Sequence, residues 1–258
     1  MPAETGDDAV SDDAVLGGKL VLRQPRRGHR FGHDAILLAA ATAARPGELA
    51  IEFGSGVGAA GLALAHRVDG LVVTLVEIDP VLAALARGNA ERNGLAARVR
   101  AVCLDVGASA DAFAAAGLAP GAADHVLMNP PFNAAANPSP DVRRRRAHVA
   151  SDATLPAWLG AALRLLRPGG AVTLIWRADG LGDVLAALGS GYGAIAVLPV
   201  QPRPSVPAIR VLVRATAGSG APLTLLPGLV LAAADGAPSA AAEAVLREGK
   251  ALSLAARD

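Results

Sequence analysis

The residues best suited to chemistry are Asn129-Pro130-Pro131-Phe132, which close an apolar run over 123–128. An aromatic amine is a poor nucleophile because its lone pair is delocalised into the ring, and acceptors placed on its N–H groups return electron density to nitrogen as attack begins. Asn129 can offer its side-chain carbonyl. The Pro-Pro backbone has a restricted φ and lacks two N–H donors, so it can hold the Pro130 carbonyl toward the same amine. Phe132 can stack on a flat ring taken out of its own base stack. The plainer reading is a proline turn with Phe132 in the core. Against it, the chain has only four Phe, two Trp and one Tyr, so any ring at such a turn is informative.

A second set lies upstream. Gly54-Ser55-Gly56-Val57-Gly58-Ala59-Ala60-Gly61 follows the run over 49–53 and opens a helical stretch. Such glycines let the backbone turn sharply beside a ligand, and a helix start supplies free N–H groups. Gly56, Gly58 and Gly61 also satisfy the G-x-G-x-x-G dinucleotide fingerprint, with Glu77 about twenty residues on as its ribose acid. The glycines alone therefore do not separate a nicotinamide dinucleotide from another adenosine ligand. Glu77 ends the next apolar run and can accept from both ribose hydroxyls, and Ile78 offers adenine an apolar face. Asp105, after the third run, can accept from the adenine amino group. Any one of these acids could be a solvated loop residue; three successive run ends suited to one adenosine moiety carry the argument. Asp79, directly before Pro80, reads as a helix N-cap.

These groups can converge only if their strands end at one edge of one sheet. Strand-like runs at 49–53, 71–76, 99–104, 123–128 and 171–176 alternate with helical stretches at 58–67, 80–92, 110–116 and 155–166. That alternation predicts an α/β fold with a doubly wound, mostly parallel sheet covered by helices on both faces. In such a sheet the fourth strand lies beside the first, so the Asn129 turn faces the glycine loop. Runs at 195–199 and 209–213 are joined by a link holding Pro202, Pro204 and Pro207, too short for a crossover helix. They predict a terminal antiparallel hairpin at the sheet edge. Weaker strand-like runs follow at 223–226 and 229–232, then a short helix at 239–247. Residues 1–15 read as a solvated acidic tail, 16–232 as the domain and 233–258 as a short helical extension.

Bulk composition excludes several classes. The chain has 258 residues, 52% hydrophobic, with a net charge of +1, enough apolar material for a sizeable core and too little charge to coat nucleic acid without selectivity. The longest apolar run, 35–44, is too short for a membrane span. Glu4, Asp7, Asp8, Asp12 and Asp13 occupy the place of a secretory leader's basic and apolar regions, so the cytoplasm is the expected compartment. One cysteine, Cys103, precludes an internal disulfide and reads as a small buried hydrophobe. No Cys/His spacing suggests a metal site. Trp158 and Trp176 fit core positions, and His29 and His33 lack an evident carboxylate partner that would make them bases. Arg26, Arg27 and Arg30, then Arg143, Arg144, Arg145 and Arg146 with His148, flank the proposed site. The second cluster is either an RNA contact or a solvated face in an Arg-rich chain.

Glu52 to Gly58, Val76-Glu77-Ile78-Asp79, Leu104-Asp105 and Asn129-Pro130-Pro131-Phe132 resemble the successive motifs of class I S-adenosylmethionine-dependent methyltransferases that modify amino groups. Those enzymes, unlike nicotinamide ones, have a use for an amine-gripping tetrapeptide. With the upstream segment Gln24-Pro25-Arg26-Arg27-Gly28-His29-Arg30-Phe31-Gly32-His33-Asp34-Ala35-Ile36-Leu37-Leu38, the nearer resemblance is to the bacterial tRNA(Val) adenine-N6 methyltransferase family, over about residues 16–232. The resemblance implies S-adenosylmethionine as cofactor, tRNA as partner and methyl transfer to adenine N6 without metal. It implies that Phe31 and Asp34 close the pocket at the methionine end, Glu52 lies beneath the amino group, Gly54, Gly56 and Gly58 wrap the cofactor, Glu77 holds the ribose and Asp105 the adenine. Within the chemistry, the alternatives are a protein glutamine amide, as in release-factor methyltransferases, which usually carry Tyr where Phe132 stands, and guanine N2 of ribosomal RNA. From other classes, a nicotinamide oxidoreductase or a non-catalytic adenosine-ligand binder remains open.

Overall fold

Strands β1 (Val10–Val15) and β2 (Leu20–Pro25) form a small antiparallel ribbon ahead of helix α1 (His33–Ala41) in the computed structural model, which describes residues 10–28, 30–131 and 154–256. β3 (Leu49–Phe53), β4 (Val72–Glu77), β5 (Val99–Cys103) and β6 (Ala123–Met128) then alternate with α2 (Ala59–Arg67), α3 (Pro80–Arg92) and α4 (Ala110–Ala115). β3 pairs in parallel with β4 on one side and β6 on the other, Phe53 standing opposite both Val76 and Met128. The loops leaving β3 and β6 therefore emerge side by side at the carboxyl end of the sheet, where open α/β sheets bind ligands.

α5 (Thr154–Leu165), β7 (Leu166–Arg177), α6 (Leu181–Leu188), β8 (Tyr192–Gln201) and β9 (Arg210–Ala217) complete the main sheet, with β9 inserted antiparallel between β7 and β8. The expected hairpin is present. It does not close the sheet, because β10 (Thr224–Leu225) and β11 (Leu229–Val230) pair in parallel with β8 beyond it. The short α7 (Ala240–Leu246) falls where a terminal helix was expected; its Val245, with Leu254, joins the core cluster that contains α1.

Side chains alternate across a strand, and β3 uses this to build two core layers. Ala50 joins the layer holding α1, α2 and α3, whereas Ile51 and Phe53 join the layer holding Phe113, α5 and α6. Glu52 shares the face of Ala50, so a carboxylate is carried into the packing of α2. Its Oε2 accepts from the Gly61 N–H at 2.7 Å. A Cβ on Gly61 would stand 2.4 Å from Leu75 Cδ2 and 2.7 Å from Glu52 Oε2, so α2 approaches the sheet only because that side chain is absent. Gly61→Ala is expected to cost about 1–3 kcal/mol of stability by overpacking, measured by urea unfolding.

Three expectations need correction. Residues 10–15 belong to a strand, not to the mobile tail: Asp12 pairs with Arg23 at 3.0 Å and Asp13 with Arg30 at 2.8 Å, so acids read as solvated have guanidinium partners across the turn. Residues 1–9 lie outside the described residues. Cys103 is exposed, because it ends β5 at the open carboxyl edge, its Sγ 3.6 Å from the Ile78 carbonyl. Trp158 and Trp176 are only half buried, packed against the rim of the second core layer. α1, read only as a run too short for a membrane, is buried from Ile36 to Ala41, which suits a helix that is apolar nearly all round. Among the described residues no helix is long and apolar enough to cross a membrane.

Candidate active site

The loop after β3 is pinned from both sides. The Ser55 N–H donates to the Val76 carbonyl at 3.0 Å, the Gly58 N–H to the Ser55 carbonyl at 2.8 Å, and the Gly56 N–H to Glu77 Oε2 at 2.7 Å. Gly54 and Gly58 hold φ of +61° and +86°, and the Trp158 ring lies where a Gly54 Cβ would fall, at 2.6 Å. Trp158 in turn meets Phe53 edge to face, centroids 6.2 Å apart. A Cβ on Gly56, by contrast, would meet nothing within 4 Å. The loop is thus fixed at its ends and open at its middle glycine, a cradle of the kind an adenosine ligand needs.

Glu77 is buried at the end of β4, its second oxygen accepting from the Asp79 N–H at 2.9 Å. Each carboxylate oxygen keeps a lone pair free for a further donor. Ile78 is 61% exposed, an apolar face turned to solvent, and Asp105 is exposed beyond β5 with its Oδ1 on the Gly107 N–H at 2.7 Å. Asp79 caps α3 as expected, accepting from the Val81 N–H at 2.8 Å.

Glu52 is the electrostatic exception. Burial pushes its carboxyl up to about 8, opposed by the Gly61 and Ala60 N–H groups and reinforced by the negative charge of Glu77. A cationic group beside it would reverse that cost. Asp34, in the first turn of α1, accepts from Arg210 Nε at 2.9 Å. Arg210 stands opposite Arg177, the last residue of β7, so Asp34 also lies over the carboxyl end of the sheet. Phe31 is half buried, its N–H donating to Gln24 Oε1 at 3.1 Å.

The β6 turn completes the set. Pro130 is buried, Asn129 and Pro131 are half buried, and Asn129 Oδ1 is a buried acceptor without a hydrogen-bond partner among the described residues. Phe132, Arg143, Arg144, Arg145 and Arg146 lie outside the described residues, as do His29 and His148. Among the described residues no group of three or more His, Cys, Asp or Glu could hold a metal ion. Two residues in this region, Asn89 and Arg210, were not singled out from the sequence; Trp158 was read only as a core residue and Gln24 only as the start of the upstream segment. Asn89 carried a signal, since asparagine disfavours helix interiors unless its amide has a task.

A sheet ordered β5-β4-β3-β6-β7-β9-β8 with β9 reversed, and a glycine cradle at its switch point, defines a class I Rossmann-like methyltransferase. A predicted O-methyltransferase of known structure from Agrobacterium tumefaciens has the same fold, with a TM-score of 0.72 and 29% identity, covering 85% of this chain and 98% of that one. The methyltransferase small domain profile matches residues 33–180, and the chain belongs to that family, whose cofactor is S-adenosylmethionine. Among curated relatives, the tRNA1(Val) (adenine(37)-N6)-methyltransferase of Porphyromonas gingivalis is 30% identical over 159 residues, 60% of this chain and 61% of the relative. The release factor glutamine methyltransferase of Chlorobaculum tepidum is 30% identical over 158 residues, 57% of this chain and 52% of the relative. The chain therefore spans less than two thirds of the length of either relative.

Proposed function

We propose that this chain methylates an exocyclic amine, the N6 of an adenine in tRNA. The observation that carries the reading is the buried Asn129 Oδ1, at the end of β6 and beside the glycine loop, with no hydrogen-bond partner among the described residues. A buried acceptor without a donor costs about 1–3 kcal/mol, and a fold retains such an atom where a ligand supplies the missing N–H. The P. gingivalis relative's name supports adenine in tRNA.

When bound, S-adenosylmethionine would supply a methyl group on a sulfonium sulfur, an in-line nitrogen lone pair forming the N–C bond as the C–S bond breaks and S-adenosylhomocysteine leaves. Gly54, Gly56 and Gly58 wrap it, Glu52 meets its ammonium, Glu77 its ribose, and Ile78 and Asp105 its adenine, with Phe31 and Asp34 closing over the methionine end. Asn129 Oδ1 and the Pro130 carbonyl each accept an N–H of the target amine, orienting its lone pair and restoring its nucleophilicity. Phe132 stacks on the base, and Arg143 to Arg146 meet the phosphates. No strong base is required, since the methylated amine loses its proton readily to water.

Glu77→Ala is expected to weaken S-adenosylhomocysteine at least about tenfold by calorimetry, through loss of ribose acceptors and of the Gly56 anchor. Unchanged affinity would remove the ribose role. The C. tepidum relative, at equal identity, favours a second reading, the side-chain amide of a protein glutamine. Labelled S-adenosylmethionine offered with separate pools of tRNA, rRNA and protein from cells lacking this chain decides between them. Label in tRNA, and in an adenine on digestion, is the expected result; label in protein alone would overturn it.

A further inference from the structure

Asn89 is fully buried in the tenth position of α3, and its side chain joins three separate elements. Its Oδ1 accepts from the Arg23 N–H at 2.7 Å, and its Nδ2 donates to the Arg23 carbonyl and to the Val57 carbonyl, each at 3.0 Å. Asn93, one turn later, repeats the strand half of the pattern: Oδ1 on the Val21 N–H and Nδ2 on the Val21 carbonyl, each at 2.9 Å. Four helical residues rise about 6 Å and two strand residues about 6.6 Å, so two asparagines one turn apart meet alternate residues of a strand. They satisfy the edge of β2 that β1 leaves unpaired. Only Asn89 continues inward, to the carbonyl between Gly56 and Gly58.

The β1–β2 ribbon holds a second piece of the site. Gln24 Nε2 donates to Asp13 Oδ2 at 2.9 Å while its Oε1 accepts the Phe31 N–H. The ribbon therefore grips the Phe31 segment through Gln24 and the glycine loop through Asn89. We propose that Asn89 is a positioning residue for cofactor binding: it fixes the Val57 peptide so that Gly56 lies open beneath the ligand, and it couples that loop to the segment that closes over it. Rotation of the Val57 peptide would swing the neighbouring Gly58 N–H, which holds the Ser55 carbonyl, and loosen the cradle at its centre. This inference rests on assigning the glycine loop to the cofactor.

The test compares Asn89→Ala, Asn89→Ser and Asn93→Ala in the full chain, by calorimetry with S-adenosylhomocysteine and by amide hydrogen exchange. Both alanine variants are expected to raise exchange in residues 21–25. Only the Asn89 variants are expected to raise it in residues 54–58 and to weaken the ligand, by about tenfold for alanine and less for serine, whose hydroxyl can still donate to one carbonyl. Asn93→Ala, with the same loss on β2, is expected to bind within about twofold of the parent. Should Asn89→Ala fail to fold, Asn89→Ser against Asn93→Ala carries the comparison. Equal effects of the Asn89 and Asn93 variants on affinity, or parent-like binding by a folded Asn89 variant, would overturn the proposal. If the parent's residues 54–58 gain no protection from S-adenosylhomocysteine, the loop assignment fails and the proposal with it.

Discussion

Asn129→Ala is expected to lower kcat for methyl transfer by about two to three orders of magnitude, with the affinity for S-adenosylhomocysteine changed by less than about threefold. The reason is that Asn129 Oδ1 acts on charge that develops only as the amine attacks, so its loss falls on the transition state rather than on the bound cofactor. The same variant is expected to melt no lower than the parent. Its Oδ1 is buried without a hydrogen-bond partner among the described residues, and removing an unsatisfied acceptor offsets the lost packing. A kcat loss without a Tm loss is the pattern of a group held for function at some expense of stability. Single-turnover methylation alongside differential scanning fluorimetry measures both. A melting temperature several degrees below the parent, with kcat nearly retained, would mean that Asn129 is structural and would remove the amine-gripping role.

The second large effect is expected at Glu52. Its carboxyl is raised to about 8 in the folded chain against an ordinary value of 4.5, so the native state holds its proton more tightly than the unfolded state does. The stability this contributes is full below the ordinary value and is lost as pH rises through about 8, which amounts to a swing of about 5 kcal/mol at most. The free chain is thus expected to become less stable from pH 5 to pH 8.5 through this residue. Glu52→Gln, which can keep an acceptor on Gly61, is expected to remove that slope. Cofactor binding should show the complementary behaviour. An ammonium beside Glu52 favours the carboxylate, so binding below about pH 8 releases a proton and strengthens as pH rises, by up to about tenfold per pH unit. Calorimetry in two buffers of different ionisation enthalpy reads the proton directly. Binding with no proton released at pH 7, together with a pH-independent affinity for both chains, would place the ammonium elsewhere.

Periodicity and punctuation were enough to set out the central sheet. The strand at 123–128 and the helix at 80–92 coincide with β6 and α3, because each is bounded by residues that act locally: Asp79 caps, Pro80 sits in the first turn, and Asn129-Pro130 ends a strand. The β1–β2 ribbon was not legible. Its Asp12 and Asp13 look like tail residues until Arg23 and Arg30 are brought across the turn, and β2's free edge is satisfied by asparagines from a helix more than sixty residues away. Cys103 was misplaced for a related reason: its apolar character is local, but its exposure depends on where β5 stops relative to its neighbours.

At the site, residue identity determined what chemistry is available. Asparagine and proline carbonyls can grip an amine, glycines can cradle an adenosine ligand, and carboxylates can meet hydroxyls and ammonium, because these capacities belong to the groups themselves. Tertiary structure decided which of those capacities are engaged. Both oxygens of Glu77 hold backbone N–H groups, Asp34 is tied to Arg210, Glu52 is driven toward its protonated form by burial, and Asn129 Oδ1 has no partner among the described residues. Hydrogen-bond partners, desolvation and charge proximity depend on distances between segments far apart in the chain, and packing sets those distances.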